Sequence, residues 1–228
     1  MPDFTAADVE EGTRAQRGIG WFQDKSIGLK ADIWEAGASI SPWLNYATDE
    51  FIYVLEGEII IVEKDRETRV GPGEALVIPR GCHCRYRQDR HVRKFYVYHG
   101  DPSAQVAPSG RHAVKVDRSV ALASSPPPPA GMLHSPVPRQ WAHEFYQGET
   151  GEFTVGVWQT TGYHRKLIDF PRHELMHLLE GSVTFEDDKG GRRTFSAGDT
   201  FFVPLGAPNS WKSEGTLRKI YCIFQPAG

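Results

Sequence analysis

The stretch that decides the fold is DEFIYVLEGEIIIVEKDRETRVGPGEALVIPRG, from Asp49 to Gly81, because the chain repeats it. About 125 positions later, His173 to Gly206 reads HELMHLLEGSVTFEDDKGGRRTFSAGDTFFVPLG, with the same order of strand, hairpin, strand and Pro-x-Gly turn. A later segment repeats as well, since Val92–Tyr98 reads VRKFYVY and Leu217–Ile223 reads LRKIYCI. An internal repeat of this kind predicts two similar domains.

Short strands follow one another through most of the chain. Runs of apolar and β-branched residues alternate with Gly, Pro, Asp and Asn, and few stretches have helical periodicity. The composition changes at SSPPPPAG, Ser124–Gly131, where four consecutive prolines favour an extended spacer. We predict an all-β chain divided into a polar lead-in over 1–20, an N-terminal barrel over 21–112, a Pro-rich linker over 113–131 and a C-terminal barrel over 132–228.

Charge and composition narrow the class of protein. The chain has 26 basic and 29 acidic residues, a formal net charge of -3, so neither nucleic acid nor an anionic membrane is an expected partner. No apolar run approaches the ~20 residues of a membrane span, and no secretory signal is visible. Three cysteines, Cys82, Cys84 and Cys222, are an odd number and predict reduced thiols. The sequence therefore predicts a cytoplasmic protein.

The strand that opens each repeat is apolar on both faces. Alternation places Glu50, Ile52 and Val54 on one face and Phe51, Tyr53 and Leu55 on the other. A strand of this kind needs a barrel interior on one side and a second partner on the other. We expect the outer face to pack against the sister domain or a second subunit, which predicts a homodimer.

Two motifs in each half resemble those of the cupin superfamily. The first ends in Glu, six residues and Gly, and the second reads Gly, five residues, Pro-x-Gly. Both occur twice, at Glu50 with Gly57, Gly73 with Pro79 and Gly81, Glu174 with Gly181, and Gly198 with Pro204 and Gly206. The resemblance implies two tandem double-stranded β-helix barrels, jelly-roll-like in form, in other words a bicupin.

The usual cupin metal site is missing from both halves. The resemblance would supply a His-x-His before the motif glutamate and a further His three residues after the Pro-x-Gly glycine. Here WLNYATDE and LIDFPRHE contain no His-x-His, and Cys84 and Asn209 occupy the later position. A glutamate with one such partner provides two donors, too few for a typical divalent site. We expect no cofactor, while a divalent metal at a non-standard site stays open.

The closer resemblance is to the metal-ligand-poor branch typified by the ethanolamine-utilisation cupins. That branch has a Trp-Glu strand, the stretch Asp49–Gly57 as it stands here, a Trp seven positions after the motif proline, and a final Arg-Lys-x-Tyr. Trp211 matches in the second half, whereas Tyr86 replaces the Trp in the first half and His173 and His177 depart from the pattern in the second. The final motif begins at Arg93 and Arg218. The bicupin ureidoglycine aminohydrolases are a more distant resemblance, and the ligands of their manganese site are not visible in this chain.

The candidate site residues are those that should project into the barrels. Alternation from the motif proline places Cys84 and Tyr86 near Glu50, and Asn209 and Trp211 near Glu174. A carboxylate beside an aromatic wall favours a small polar or cationic ligand. Two alternatives stay open. In one, the aromatic residue plugs the barrel while the glutamate pairs with an Arg or Lys of the final strand, and in the other the site holds a metal.

Other polar residues are weaker candidates. We expect His83 to face outward and Cys84 to be a buried, unreactive thiol, because no base is evident beside it. His173 and His177 share the outer face, where they are either ordinary hydrogen-bonded histidines or an interface metal site. His164 would reach the interior only if its strand turns inward.

Two functions are compatible with these residues. The first is a binding or non-catalytic accessory protein that holds a small polar metabolite, motivated by the missing histidines. The second is a small-molecule hydrolase, lyase or isomerase that uses Glu50 or Glu174 as acid or base. In the second, Cys84, Tyr86 or Asn209 would position the substrate beside that glutamate.

Overall fold

The chain consists of two compact β-rich units. The computed structural model describes residues 5–6 and 17–226, and the units are Met1–Asp117 and Arg118–Gly228. Apart from a short 3-10 turn at Ala130–Met132, the regular elements of the described residues are strands. Within the described residues, no helix has the length and apolar character needed to cross a membrane.

The N-terminal unit contains two antiparallel sheets among its described residues. Its strands are β1 (Thr5–Ala6), β2 (Arg17–Asp24), β3 (Leu29–Ala36), β4 (Ser39–Ile40), β5 (Leu44–Asn45), β6 (Asp49–Glu56), β7 (Ile59–Val62), β8 (Glu67–Val70), β9 (Ala75–Ile78), β10 (His83–Gln88), β11 (Val92–His99) and β12 (Val114–Val116). One sheet has the order β1-β2-β3-β11-β6-β9-β12, and the other has the order β4-β10-β7-β8, with β5 also paired to β10.

The C-terminal unit repeats this arrangement. Its strands are β13 (Ala123–Ser125), β14 (Gln140–Gln147), β15 (Phe153–Thr160), β16 (Tyr163–Asp169), β17 (His173–Glu180), β18 (Ser182–Glu186), β19 (Arg192–Ser196), β20 (Thr200–Val203), β21 (Pro208–Ser213) and β22 (Leu217–Phe224). The sheets have the orders β13-β14-β15-β22-β17-β20 and β16-β21-β18-β19. Each sheet matches one in the first unit, as the internal repeat predicts.

The division between the units, after Asp117, falls within the segment 113–131 that was predicted as a linker, but this segment also contains strands. Within 113–131, β12 pairs with β9 of the N-terminal unit and β13 pairs with β14 of the C-terminal unit. Most of the lead-in predicted over 1–20 lies outside the described residues, although β1 pairs with the start of β2. Sheet hydrogen bonds therefore extend into both segments that composition had assigned to non-sheet structure.

The interior of each unit lies between its two sheets. In the N-terminal unit Ile52 and Val54 of β6 belong to one buried cluster with Cys84 of β10 and with Tyr96 of β11. The register pairs Val54 with Lys94 and Glu50 with Tyr98, so alternate residues of β6 and β11 share this interior face. In the C-terminal unit β17 and β22 have the corresponding register. Glu50, Ile52 and Val54 of β6 therefore face the interior, and Lys94 of β11, which pairs with Val54, faces the interior as well.

Candidate functional site

In the N-terminal unit, the motif glutamate is bound by a lysine and a tyrosine. Lys94 Nζ lies 2.9 Å from Glu50 Oε1, and the Tyr46 hydroxyl donates to Glu50 Oε2 at 2.5 Å. Burial, and then the charge of Glu50, raise the pKa of Tyr46 well above its usual value, so this hydroxyl stays protonated. Glu50 and Lys94 are each 7% exposed, which makes them a buried ion pair.

Aromatic rings surround the ammonium group of this pair. Lys94 Nζ lies 5.1 Å from the ring centroids of Trp34 and Tyr86 and 5.3 Å from that of Tyr96. These distances are within the range of cation–π attraction, which is stronger when the cation is desolvated. The sequence suggested that a cationic ligand would bind between the carboxylate and the aromatic rings. In the structure the Lys94 side chain lies there.

A cavity of about 680 Å³ opens beside the Glu50–Lys94 pair. Its lining includes Tyr46, Tyr96 and Tyr98, and residues of the loop after β11, among them Pro102 and Val106. Tyr86 does not line this cavity, and its buried hydroxyl has no hydrogen-bond partner among the described residues. An ordered water would satisfy such a group.

Cys84 lies in the barrel core but is not a reactive thiol. It is fully buried, and a hydrogen bond with Cys82 together with burial raises its pKa far above the usual value. A thiol in this state is protonated and is a poor nucleophile and a poor metal ligand.

In the C-terminal unit, the motif glutamate is bound by two cations. Lys219 Nζ lies 2.6 Å from Glu174 Oε1, and Arg172 Nε lies 2.9 Å from Glu174 Oε2. Glu174 is fully buried. Burial alone would raise its pKa, but the charges of Lys219 and Arg172 outweigh burial and lower it. Glu174 is therefore a carboxylate at neutral pH.

Lys219 is enclosed by two tryptophans and a methionine. Its Nζ lies 4.9 Å from the ring centroid of Trp158, 5.3 Å from that of Trp211 and 3.3 Å from Met176 Sδ. Trp211 is itself buried and stacks on Tyr163, with ring centroids 5.7 Å apart. The pairs Trp34 with Lys94 and Trp158 with Lys219 therefore occupy matching places in the two barrels.

A second cavity, of about 520 Å³, lies over the Glu174–Lys219 pair. One wall is formed by Pro126–Pro129, the polyproline run that composition had suggested was a spacer. Arg165 also lines this cavity and donates to Asn209 Oδ1 at 2.6 Å. Asn209 does not line this cavity, although it accepts this hydrogen bond from Arg165.

The structure brings together part of the predicted set in each barrel. Tyr86 and Trp211 contact the lysine that binds the glutamate, as the alternative with a glutamate–lysine pair predicts. Asn209 reaches the site through Arg165, and Cys84 contributes to the core. The sequence predicted Lys94 and Lys219 only indirectly, because the repeated Arg-Lys-x-Tyr motif offered either an Arg or a Lys as the partner of the glutamate.

The histidines make ordinary hydrogen bonds. His173 Nδ1 accepts from the Leu205 amide at 3.2 Å, and His177 Nδ1 is 2.8 Å from Thr200 Oγ1. His83 is exposed, as predicted, and stacks on Trp43. His164 lies beside His134 and does not line the cavity over Glu174. Among the described residues, no group of three or more His, Cys, Asp or Glu side chains converges on one point.

Sequence reasoning missed Tyr46, Arg165 and Arg172. Arg172 precedes Glu174 by two positions, and this spacing on an extended segment could have indicated a shared face. Arg165 could not have been placed, because β16 shifts register against β21 between Arg165 and Ile168. Such an irregularity breaks the alternation on which the prediction of inward-facing residues depends.

The donor set does not fit the divalent metal that the fold family implies. In each barrel an ammonium group is bonded to the motif glutamate, and the later motif position holds a protonated thiol or an amide already bonded to Arg165. A metal needs several deprotonated or neutral donors, and a cation in contact with the main carboxylate opposes its binding.

Two antiparallel barrels in tandem, each with a motif glutamate on its inner face, define a bicupin. The chain belongs to the family of the EutQ-like cupin domain, whose profile matches residues 26–96 and again residues 147–221. No curated protein matches the chain.

Solved structures agree with this assignment. A protein of unknown function of the DUF861 family from Pseudomonas syringae pv. tomato is 27% identical, with a TM-score of 0.80 over 97% of this chain and 93% of that chain. Ylba from E. coli, also DUF861, is 14% identical, with a TM-score of 0.57 over 100% and 90% of the two chains. A variant of salicylate 1,2-dioxygenase from Pseudoaminobacter salicylatoxidans is 14% identical, with a TM-score of 0.53 over 86% and 71%. The last two likenesses concern the fold alone.

Proposed function

We propose that the protein is a metal-independent bicupin that binds small polar metabolites in its barrel cavities. The observation that carries this proposal is the lysine ammonium bound to the motif glutamate in both barrels, at 2.9 Å and 2.6 Å. A fixed ion pair at the floor of a cavity supplies both a donor and an acceptor to a ligand, as polar anchors do in small-molecule sites.

The acid–base alternative receives less support from the geometry of the C-terminal barrel. A general acid must be protonated near neutral pH, whereas two cations lower the pKa of Glu174. The same lowered pKa makes the carboxylate a weak base. We therefore assign Glu174 the role of binding Lys219 and orienting the polar floor of the cavity.

Metal content tests the first half of this proposal. We expect protein purified without chelator to contain far less than one equivalent of Mn, Fe, Ni or Zn, and its melting temperature to be the same with and without EDTA. Stoichiometric metal that disappears in Glu50→Ala or Glu174→Ala would overturn the proposal.

Ligand binding tests the second half. A thermal-shift panel of organic acids, amino acids, polyols and amines should contain at least one compound that raises the melting temperature. A ligand at about 100 times its Kd stabilises the folded state by about 2.7 kcal/mol, which is readily detected in such an assay. The absence of any shift across all four classes would contradict a binding function.

A further inference from the structure

The cavity of the C-terminal unit has an excess of positive charge. Arg165, Arg172 and Lys219 line it, and Glu174 is the sole acidic side chain among its described lining residues. Burial lowers the pKa of Lys219, and the charges of Arg172 and Arg165 lower it further although Glu174 opposes them. The described lining of this cavity therefore holds three cationic side chains and one carboxylate, and Arg172 and Lys219 share that carboxylate.

Arg165 is the clearest case. Arg165 is only 6% exposed. Among the described residues it donates hydrogen bonds to two neutral groups, Asn209 Oδ1 at 2.6 Å and the Lys166 carbonyl oxygen at 3.3 Å. A buried charge is unfavourable unless it is paired. A guanidinium carries five N–H donors in a planar fork, so donors remain for an anion.

Arg172 is placed to complete the same site. It binds Glu174 through Nε, its side chain is 36% exposed, and its guanidinium carbon lies 5.7 Å from the ring centroid of Phe170. The carboxylate and the ring hold this guanidinium among the residues that line the cavity. Two arginines held in this way form a clamp for a planar carboxylate.

The N-terminal cavity lacks both arginines. Ser41, whose amide donates to the Tyr86 carbonyl, occupies the place beside Tyr86 that Arg165 occupies beside Trp211. Thr48 precedes Glu50 by two positions, as Arg172 precedes Glu174. Glu50 and Lys94 balance each other in the described lining of that cavity. The positive charge is therefore specific to the C-terminal unit and is not required by the shared scaffold.

We propose that the C-terminal cavity is a site for a small organic acid with one or two carboxylate groups, bound by Arg165 and Arg172. This inference rests on the proposed binding function and specifies that the ligand of the C-terminal cavity is a carboxylic acid. The volume of about 520 Å³ suits a molecule of metabolite size. Trp211, Met132 and Pro126–Pro129 offer apolar surface to the carbon chain of the acid.

Calorimetric titration of the full chain with succinate tests the proposal, with succinamide as the uncharged match and putrescine as the cationic match. We expect succinate to bind and the other two not to bind. Arg165→Gln and Arg172→Gln should each raise the Kd for succinate at least about 10-fold, since each removes a charge-assisted pair. Lys212→Gln, which removes an exposed charge from the same unit, should leave the Kd unchanged.

The outcomes separate this inference from the proposed function. Unchanged succinate affinity in both arginine variants, equal binding of succinamide, or tighter binding of inorganic phosphate than of succinate would overturn the carboxylate site. If an amine or polyol binds and no organic acid does, the inference fails and the binding function stands. If Arg165→Gln does not fold, Arg172→Gln decides, and partial recovery in Arg172→Lys would confirm that charge carries the effect.

Discussion

At the scale of single residues, the two buried lysines determine the chemistry of the barrels. A carboxylate buried without a partner would be protonated or would destabilise the fold, and Lys94 and Lys219 prevent this. A buried pair of this kind contributes little net stability compared with apolar residues of the same shape, but breaking it leaves a buried charge. Under the proposed binding function, the pair in each barrel serves to bind a ligand rather than to stabilise the fold.

Removal of one lysine should therefore be strongly destabilising. We expect Lys94→Met to lower the free energy of unfolding by about 3–5 kcal/mol, because Lys94 is the cation that pairs with the buried Glu50. The double variant Lys94→Met with Glu50→Gln should recover most of this loss, because the uncompensated charge is gone. Urea denaturation of the three proteins measures both effects. Equal stability of the single and double variants would show that packing, not charge, is responsible.

His177 should make stability depend on pH. Burial, and then the charge of Arg118, lower its pKa from 6.5 to about 4, while Asp199 opposes them. Because the folded-state pKa is below the unfolded value, the contribution is complete above about pH 6.5 and is lost as the pH falls toward 4. Its full size is about 3 kcal/mol at 1.36 kcal/mol per pKa unit.

The variant His177→Gln keeps a hydrogen-bonding group for Thr200 and removes the titration. Between pH 7 and pH 4.5 the unfolding free energy of the wild type should fall more steeply than that of the variant. Parallel curves for the two proteins would contradict the assigned pKa.

At the scale of elements, the turns were more predictable than the segments between units. Gly57 and Gly181 follow β6 and β17 with φ of 80° and 79°, a conformation that favours glycine, and both were identified from the repeated motif. The strand register followed from alternation wherever the strand is regular. Composition predicts that the polyproline run is stiff and extended, but it does not show that the run lines the same cavity as Trp158 and Tyr163.

The two glycines Gly181 and Gly206 provide a matched test of turn packing. Both have φ of 79°, but a Cβ at Gly181 would overlap the Thr216 carbonyl oxygen, whereas nothing lies within 4 Å of a Cβ at Gly206. Gly206→Ala should destabilise by about 1 kcal/mol, the cost of the left-handed conformation alone. Gly181→Ala should destabilise clearly more, as measured by thermal unfolding. Equal losses would show that the backbone moves to accommodate the methyl group.

At the scale of the whole molecule, duplication preserved the scaffold and changed the cavities. The sequence predicted the tandem barrels and the inward glutamates, because both depend on local periodicity and turn residues. It could not predict that Arg165 joins Arg172 at the cavity over Glu174, since the position of Arg165 depends on the irregular path of β16. The difference in charge between the N-terminal and C-terminal cavities thus arises from tertiary structure, and the two similar sequence motifs do not reveal it.

This asymmetry predicts the binding stoichiometry of the full chain. Because the arginine pair is confined to the C-terminal cavity, we expect one succinate per chain, although both units contain a cavity beside a glutamate–lysine pair. Calorimetry gives this number directly, and intrinsic fluorescence reports the location, since Trp211 and Trp158 line the C-terminal site. Trp158→Phe should reduce the succinate-dependent fluorescence change, whereas Trp34→Phe should not. Two equivalent sites per chain would contradict the assignment of anion binding to the arginines and would point instead to the glutamate–lysine pairs that both barrels share.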